Sequence, residues 1–287
     1  MRQELVFLKR RDRCSTKARL ESHLSSRALR IVDNAVFGCH PDSVLEDVII
    51  TSVEPHGIEI HRPFSSGHMA SIEVKSSRGE DLMTLRQHAA FDLSEERQLA
   101  MVLNEIRVLK FVGSHKCIDE PLGIMWDENT PLSVIVLQPG ILANSSMIIR
   151  SKKYCSKADS RNVFFNILEA MEFLHSKDVC HNTLCPQCLR VFKHAGLLNA
   201  VVGGFEYATR EAAAHPFTDT QLQIMPKGFI APEIFQKCNP TKLSDVFSVG
   251  CIARYMSPCL SYNSSIISLA LGPKSKRPDI NDIMSTF

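Results

Sequence analysis

Cys180, His181, Cys185 and Cys188 crowd into one short stretch, CHNTLCPQC. Thiols and imidazoles are zinc ligands, and a Cys-x-x-Cys spacing also suits a dithiol that cycles with a disulfide. A structural zinc site takes four ligands, commonly as two such pairs. A second Cys-x-x-Cys is absent from the sequence, which leaves a zinc set incomplete. The chain's ten cysteines form no dense framework of the kind that staples small secreted domains. They read as buried free thiols of a reducing compartment, so a cytoplasmic or nuclear location is expected.

The rest of the composition is that of a folded protein. The 287 residues are 44% hydrophobic and 22% charged, with a net charge of +2. This excludes global disorder and leaves enough apolar surface for a sizeable core. Residues 1–30 carry nine Lys/Arg against three Asp/Glu. Such an arm can touch acidic surfaces, but it reads first as a solvated extension, and nucleic acid is not an expected partner. No apolar run approaches the roughly 18 residues that span a bilayer. The N-terminus lacks the apolar stretch of a secretory signal.

The elements that must position these groups have two textures. From about 46 to 140, short Val/Ile-rich runs alternate with turns. EDVIITSV, HMASIEVKSS and PLSVIVLQPG are strand candidates. One helix interrupts them over 93–112, with Leu99, Val102, Leu103, Ile106, Leu109 and Val112 at helical spacing and Ser94 at its start. After 140 the texture turns helical. Val163, Phe164, Ile167, Leu168, Met171 and Leu174 form one apolar stripe, and KLSDVFSVGCIARYM (242–256) is a second strong helix. The expectation is an α+β chain: a basic extension (1–45), a small β-rich half with one helix (46–140), and a larger helical half (141–287), with a cleft between the halves.

In this order the motifs resemble those of protein kinases. FLHSKDVCHNTLCPQCLRVF resembles the end of the long C-lobe helix and the catalytic loop, with His181 at the His of His-Arg-Asp and Leu184 and Pro186 at neighbouring positions. VVGGFEYAT resembles the Asp-Phe-Gly strand and turn, and GFIAPEIF holds an intact Ala231-Pro232-Glu233. SDVFSVGC resembles the buried helix that follows, with Asp245 and Gly250 in place, and KRPDINDIM carries Arg277, the family partner of Glu233. Upstream, IEVK resembles the strand-Lys motif at Lys75, and LNEIRVLK resembles the helix that presents Glu105. HNTLCP with GGFEY is also similar to the Scy1-like pseudokinases. The resemblance runs from about 46 to 285 and implies a bilobal kinase-like fold.

The same resemblance implies that the chemistry is gone. Phosphoryl transfer needs a carboxylate on the acceptor hydroxyl and Mg²⁺ ligands on the phosphates. The base position is Thr183, the loop Lys position Cys185, the second-metal Asn position Cys188, and the metal-binding Asp position Gly204. Losing a positioned base alone costs about 10²–10⁴ in rate. Glu206, two residues beyond Gly204, is a conceivable but poor substitute. Gly57 and Gly67 do not make a Gly-x-Gly-x-x-Gly phosphate loop. Within this frame Cys185 and Cys188 simply replace catalytic residues, and no metal is expected.

What the resemblance leaves in place is scaffold: Leu109, His181, Phe205 and Asp245 match a buried column that links the lobes, and Glu233–Arg277 matches a C-lobe ion pair. Lys75 and Glu105 read either as a vestigial nucleotide clamp or as a bracing ion pair. Glu73 and Arg190 match the residues that sandwich adenine, and as opposite charges they are expected to pair and fill its place. The segment between Lys75 and Glu105 is longer than the family pattern, and that between Asp245 and Arg277 is shorter, as if one helix were lost. The expectation is a non-catalytic scaffold or allosteric partner of a protein, such as another kinase or a trafficking complex, with neither ATP nor Mg²⁺ as a cofactor. The alternatives are a weak or atypical ATP-dependent transferase and a diverged product with little function left.

Overall fold

The computed structural model describes the backbone of residues 58–66, 69–76, 82–88, 95–127, 130–137 and 145–287, save 212 and 216. Side chains are described at 101, over 104–120 and from 145 onward, save 212, 216, 220 and 224. The basic extension, the expected strand over 46–53, Gly57 and Gly67 lie outside the described residues. The chain divides into two compact units: one of 1–111 with 120–139, the other of 112–119 with 140–287.

The first unit holds one antiparallel sheet. Its strands are β1 (Ile58–Ser66), β2 (Met69–Ser76), β3 (Leu82–His88), β4 (Glu120–Asp127) and β5 (Thr130–Leu137), in the order β1-β2-β3-β5-β4. Helix α1 (Glu95–Val112) lies between β3 and β4 in sequence and covers all but the first two residues of the expected 93–112. Ile106, Leu109 and Val112 of its predicted stripe are buried. The strand β3 has no counterpart in the sequence reading. LMTLRQH lacks the Val/Ile run that marks a strand by propensity, and its pairing to β2 and β5 on both sides makes it one.

The second unit is built on two buried helices. Helix α2 (Ser145–Ile148) precedes α3 (Lys157–Ser176), which starts in a reciprocal capping box between Ser156 and Asp159. Its six predicted stripe residues are all fully buried. Val179–Cys180 (β6) pairs with Thr209–Arg210 (β9). Between them stands a hairpin of β7 (Leu189–His194) and β8 (Leu197–Val202). Its two-residue turn, Ala195 (φ 49°) and Gly196 (φ 83°), has positive φ at both positions, as a right-twisting tight hairpin requires. Short helices α4 (Asp219–Ile224) and α5 (Pro232–Phe235) lead to α6 (Lys242–Met256). Nearly every inward and lateral position of α6 is buried, as its weakly amphipathic sequence implies. One seven-residue helix, α7 (Ser264–Ala270), separates α6 from Arg277, and α8 (Ile280–Met284) closes the chain. Among the described residues no helix is long and apolar enough to cross a membrane.

Candidate functional site

The site is assembled in the second unit from the loop 181–188, the ends of β7 and β8, and the first turn of α6. Asp245 organises it. Its carboxylate is fully buried and accepts the backbone N–H of His181 and of Asn182, each at 2.8 Å. His175 Nε2 lies 3.1 Å from the same carboxylate. One acidic side chain thus satisfies two consecutive loop amides that no strand or helix serves. Asn182 takes a positive φ of 68° and donates its side-chain amide to Tyr207 O at 2.7 Å and Thr209 Oγ1 at 2.9 Å. The His181 ring lies 3.0 Å from Gly203 O and packs on Phe205 at 4.9 Å between centroids. His181 of the expected column therefore touches both Phe205 and Asp245. Leu109 is buried on α1 of the other unit.

The positions expected to be degenerate fall together. Thr183 is buried, and its Oγ1 has no hydrogen-bond partner among the described residues. Cys185 begins a 3-10 turn over Pro186–Cys188, and its Sγ lies 3.5 Å from Cys188 Sγ. Cys188 also donates to Thr183 O at 3.4 Å, and its own carbonyl accepts Gly203 N–H at 2.9 Å. Gly204 follows with φ of 84°, a conformation glycine adopts freely. Glu206 lies close enough to act on both cysteines electrostatically.

A charged pair the sequence reading does not contain stands beside them. Arg190, at the start of β7, donates Nε–H to Asp119 Oδ1 at 2.9 Å, and its Nη2 meets Asp119 Oδ2. Both side chains are buried. Asp119 is held by ladder bonds flanking it: its N–H reaches Val202 O at 3.0 Å, and Val202 N–H reaches Cys117 O at 2.8 Å. Gly203 makes the pair possible. A Cβ on Gly203 would fall on Asp119 Oδ2 and Arg190 Nη2. Gly203→Ala is accordingly expected to cost about 1–3 kcal/mol, the usual penalty of overpacking. A melting temperature equal to wild type would show that the pair has room to spare.

Glu233 and Arg277 come together as expected. The guanidinium reaches the carboxylate at 2.5 and 2.9 Å and also donates to Gly272 O and Leu243 O. Burial opposes ionisation of Glu233, but the hydrogen bonds from Arg277 and Ser244 prevail and hold its carboxyl below the usual range.

One sequence assignment needs correction. In protein kinases the strand Lys stands on the third strand, the one that leads into the helix presenting the Glu. Here that strand is β3, which pairs with β5 and precedes α1. Lys75 and Glu73 stand on β2, opposite Leu82 and Thr84 of β3. The long Lys75–Glu105 segment is therefore β3 itself, and the cation in the family position is Arg86, with Thr84 two residues before it. The Val/Ile-rich IEVK outcompeted the plainer LMTLRQH because propensity carries no information on strand order. The pairing expected between Glu73 and Arg190 involves a side chain outside the described residues; Arg190 meets Asp119 of its own unit. Glu105 is buried on α1, while the side chains of Lys75, Glu73 and Arg86 lie outside the described residues.

The family model for the protein kinase domain matches residues 69–264. The chain belongs to the protein kinase domain family. Its fold is the family's α+β arrangement of a small sheet unit and a larger helical unit. Among curated proteins, calcium-dependent protein kinase 22 of Arabidopsis thaliana is 25% identical over 164 residues, which are 56% of this chain and 32% of that protein. Serine/threonine-protein kinase KDX1 of Saccharomyces cerevisiae is 28% identical over 162 residues, 52% of this chain and 35% of that protein. The match thus spans about a third of each relative's length.

Proposed function

We propose that this kinase domain acts by binding a protein partner, as a scaffold or allosteric element, and does not transfer phosphate. The observation that carries this reading is Thr183, Cys188 and Gly204 at the base and metal-ligand positions of a loop whose supporting bonds to Asp245 are intact. A threonine is no general base near neutral pH, and soft thiols are poor ligands for Mg²⁺, which prefers oxygen. Arg86 on β3 adds to it, because a planar guanidinium does not replace the compact ammonium that clamps phosphates. Asp119–Arg190 adds further: position 190 offers adenine an apolar floor in active kinases, and here it holds a buried charge. Neither ATP nor Mg²⁺ is part of this reading. The partner is another kinase or a member of a trafficking complex, met in the cytoplasm or nucleus, and a Scy1-like affiliation fits the His-Asn pair at 181–182 and the Gly-Phe-Glu at 204–206.

A second reading, a weak ATP-dependent transferase, is favoured by the names of the two relatives, both kinases. Single-turnover assays with radiolabelled ATP, Mg²⁺ and generic protein acceptors separate the two. No transfer above buffer is expected, and no rise in melting temperature with ATP and Mg²⁺, since a ligand that binds only the native state must stabilise it. Transfer that Arg86→Met or Lys75→Met abolishes would establish the second reading instead.

A further inference from the structure

The two thiols in the degenerate loop are placed for chemistry that phosphoryl transfer never uses. Cys185 and Cys188 close a single tight turn: Cys188 N–H donates to Cys185 O at 2.9 Å, with Pro186 setting the first turn position. A turn closed in this way brings its end Cα atoms within about 7 Å, inside or at the edge of the roughly 4.4–6.8 Å range that disulfides span. The sulfurs are already 3.5 Å apart and facing, and a disulfide needs about 2.05 Å, a gap that small side-chain rotations close. The two differ in access: Cys185 is buried, and Cys188 is partly exposed. Most of the other described thiols are buried, and none of them shares such a turn with a second cysteine.

We propose that Cys185 and Cys188 form a redox-active dithiol that closes to an intrachain disulfide by exchange with a small-molecule disulfide. This goes beyond the binding role proposed above and stands or falls separately from it. The small disulfide, RS–SR, reaches the partly exposed Cys188. Cys188 Sγ attacks one sulfur as its proton passes by way of Cys185 to solvent, the RS–SR bond breaks, and RS⁻ leaves with a proton from solvent, giving a Cys188–S–SR mixed disulfide. The Cys185 thiolate then attacks Cys188 Sγ and expels the second RS⁻. Two protein thiols become one disulfide, RS–SR becomes two RSH, and two electrons pass from protein to reagent. The pairing supports the second step. The hydrogen bond from the Cys188 thiol, with the amides of Gln187 and Cys188, holds Cys185 below the ordinary thiol range despite burial. The same bond, with burial, holds Cys188 well above it, so the first proton lost belongs to the pair.

Oxidised glutathione is the probe. The full chain is exposed to it under native conditions, quenched, alkylated and digested with trypsin, and the peptide from Asp178 to Arg190 is sequenced by mass spectrometry. Expected is a peptide lighter by two hydrogens than its reduced form, with Cys180 alkylated, Cys185 and Cys188 protected, and both recovered after reduction. The Cys185→Ser variant is expected to stop one step earlier, with glutathione on Cys188. The proposal is overturned if both thiols of the wild type stay alkylatable under conditions that oxidise dithiothreitol. It is equally overturned if glutathione remains on wild-type Cys188 without closure, or if the bond formed involves Cys180. Should the variant fail to fold, the wild-type peptide alone decides.

Discussion

Replacing Asp119 with alanine is expected to destabilise the larger unit by about 3–5 kcal/mol, the cost of removing one member of a buried ion pair. The Arg190 guanidinium that Asp119 meets is buried, so truncation withdraws a carboxylate from a cation that water does not readily reach. Arg190→Met should cost a similar amount for the converse reason. The double variant Asp119→Leu with Arg190→Met should cost less than either single change, because well-packed apolar residues often replace a buried pair without loss. The measurement is a double-mutant cycle by chemical denaturation. Single-variant costs that simply add would mean that the two side chains contribute independently and that the pair is incidental.

The second large effect concerns Asp245. Asp245→Ala leaves the buried amides of His181 and Asn182 without their acceptor and removes the contact to His175. Each buried donor left unsatisfied costs about 1–3 kcal/mol, so a loss of about 2–6 kcal/mol is expected. For a chain of this size each kcal/mol shifts the melting temperature by about 2–4 °C. Asp245→Asn should fall between the two, since its single carbonyl oxygen can serve one amide while its NH₂ faces the other donor. If the alanine variant melts with the wild type, the carboxylate is not what holds the loop.

Asp245 holds the loop that carries Thr183, Cys185 and Cys188. The amides of this loop need an acceptor in any case, because an orphaned buried N–H costs the same whether or not a phosphate passes by. The thiols of Cys185 and Cys188 bond to each other and to Thr183 O.

What the sequence alone determined is local. The stripe from Val163 to Leu174, the helix over 242–256, and the order of His181, Phe205, Glu233, Asp245 and Arg277 were legible because helical period and motif spacing depend on neighbours in the chain. The two-residue turn at Ala195–Gly196 was also readable in principle, from a glycine between two apolar runs. Only the tertiary structure decided which strand stands third in the sheet. Lys75 and Arg86 both sit on strands, and what separates them is that β3, not β2, pairs with β5, a fact set by hydrogen bonds between distant segments. Asp119 and Arg190 are 71 residues apart, and neither carries a mark of the other. Their pairing follows from the bonds between Val202 and the residues around Asp119, and from the missing Cβ of Gly203. The reach of a side chain in three dimensions has no period in the sequence, so a buried ion pair of this kind is visible only once the chain is folded.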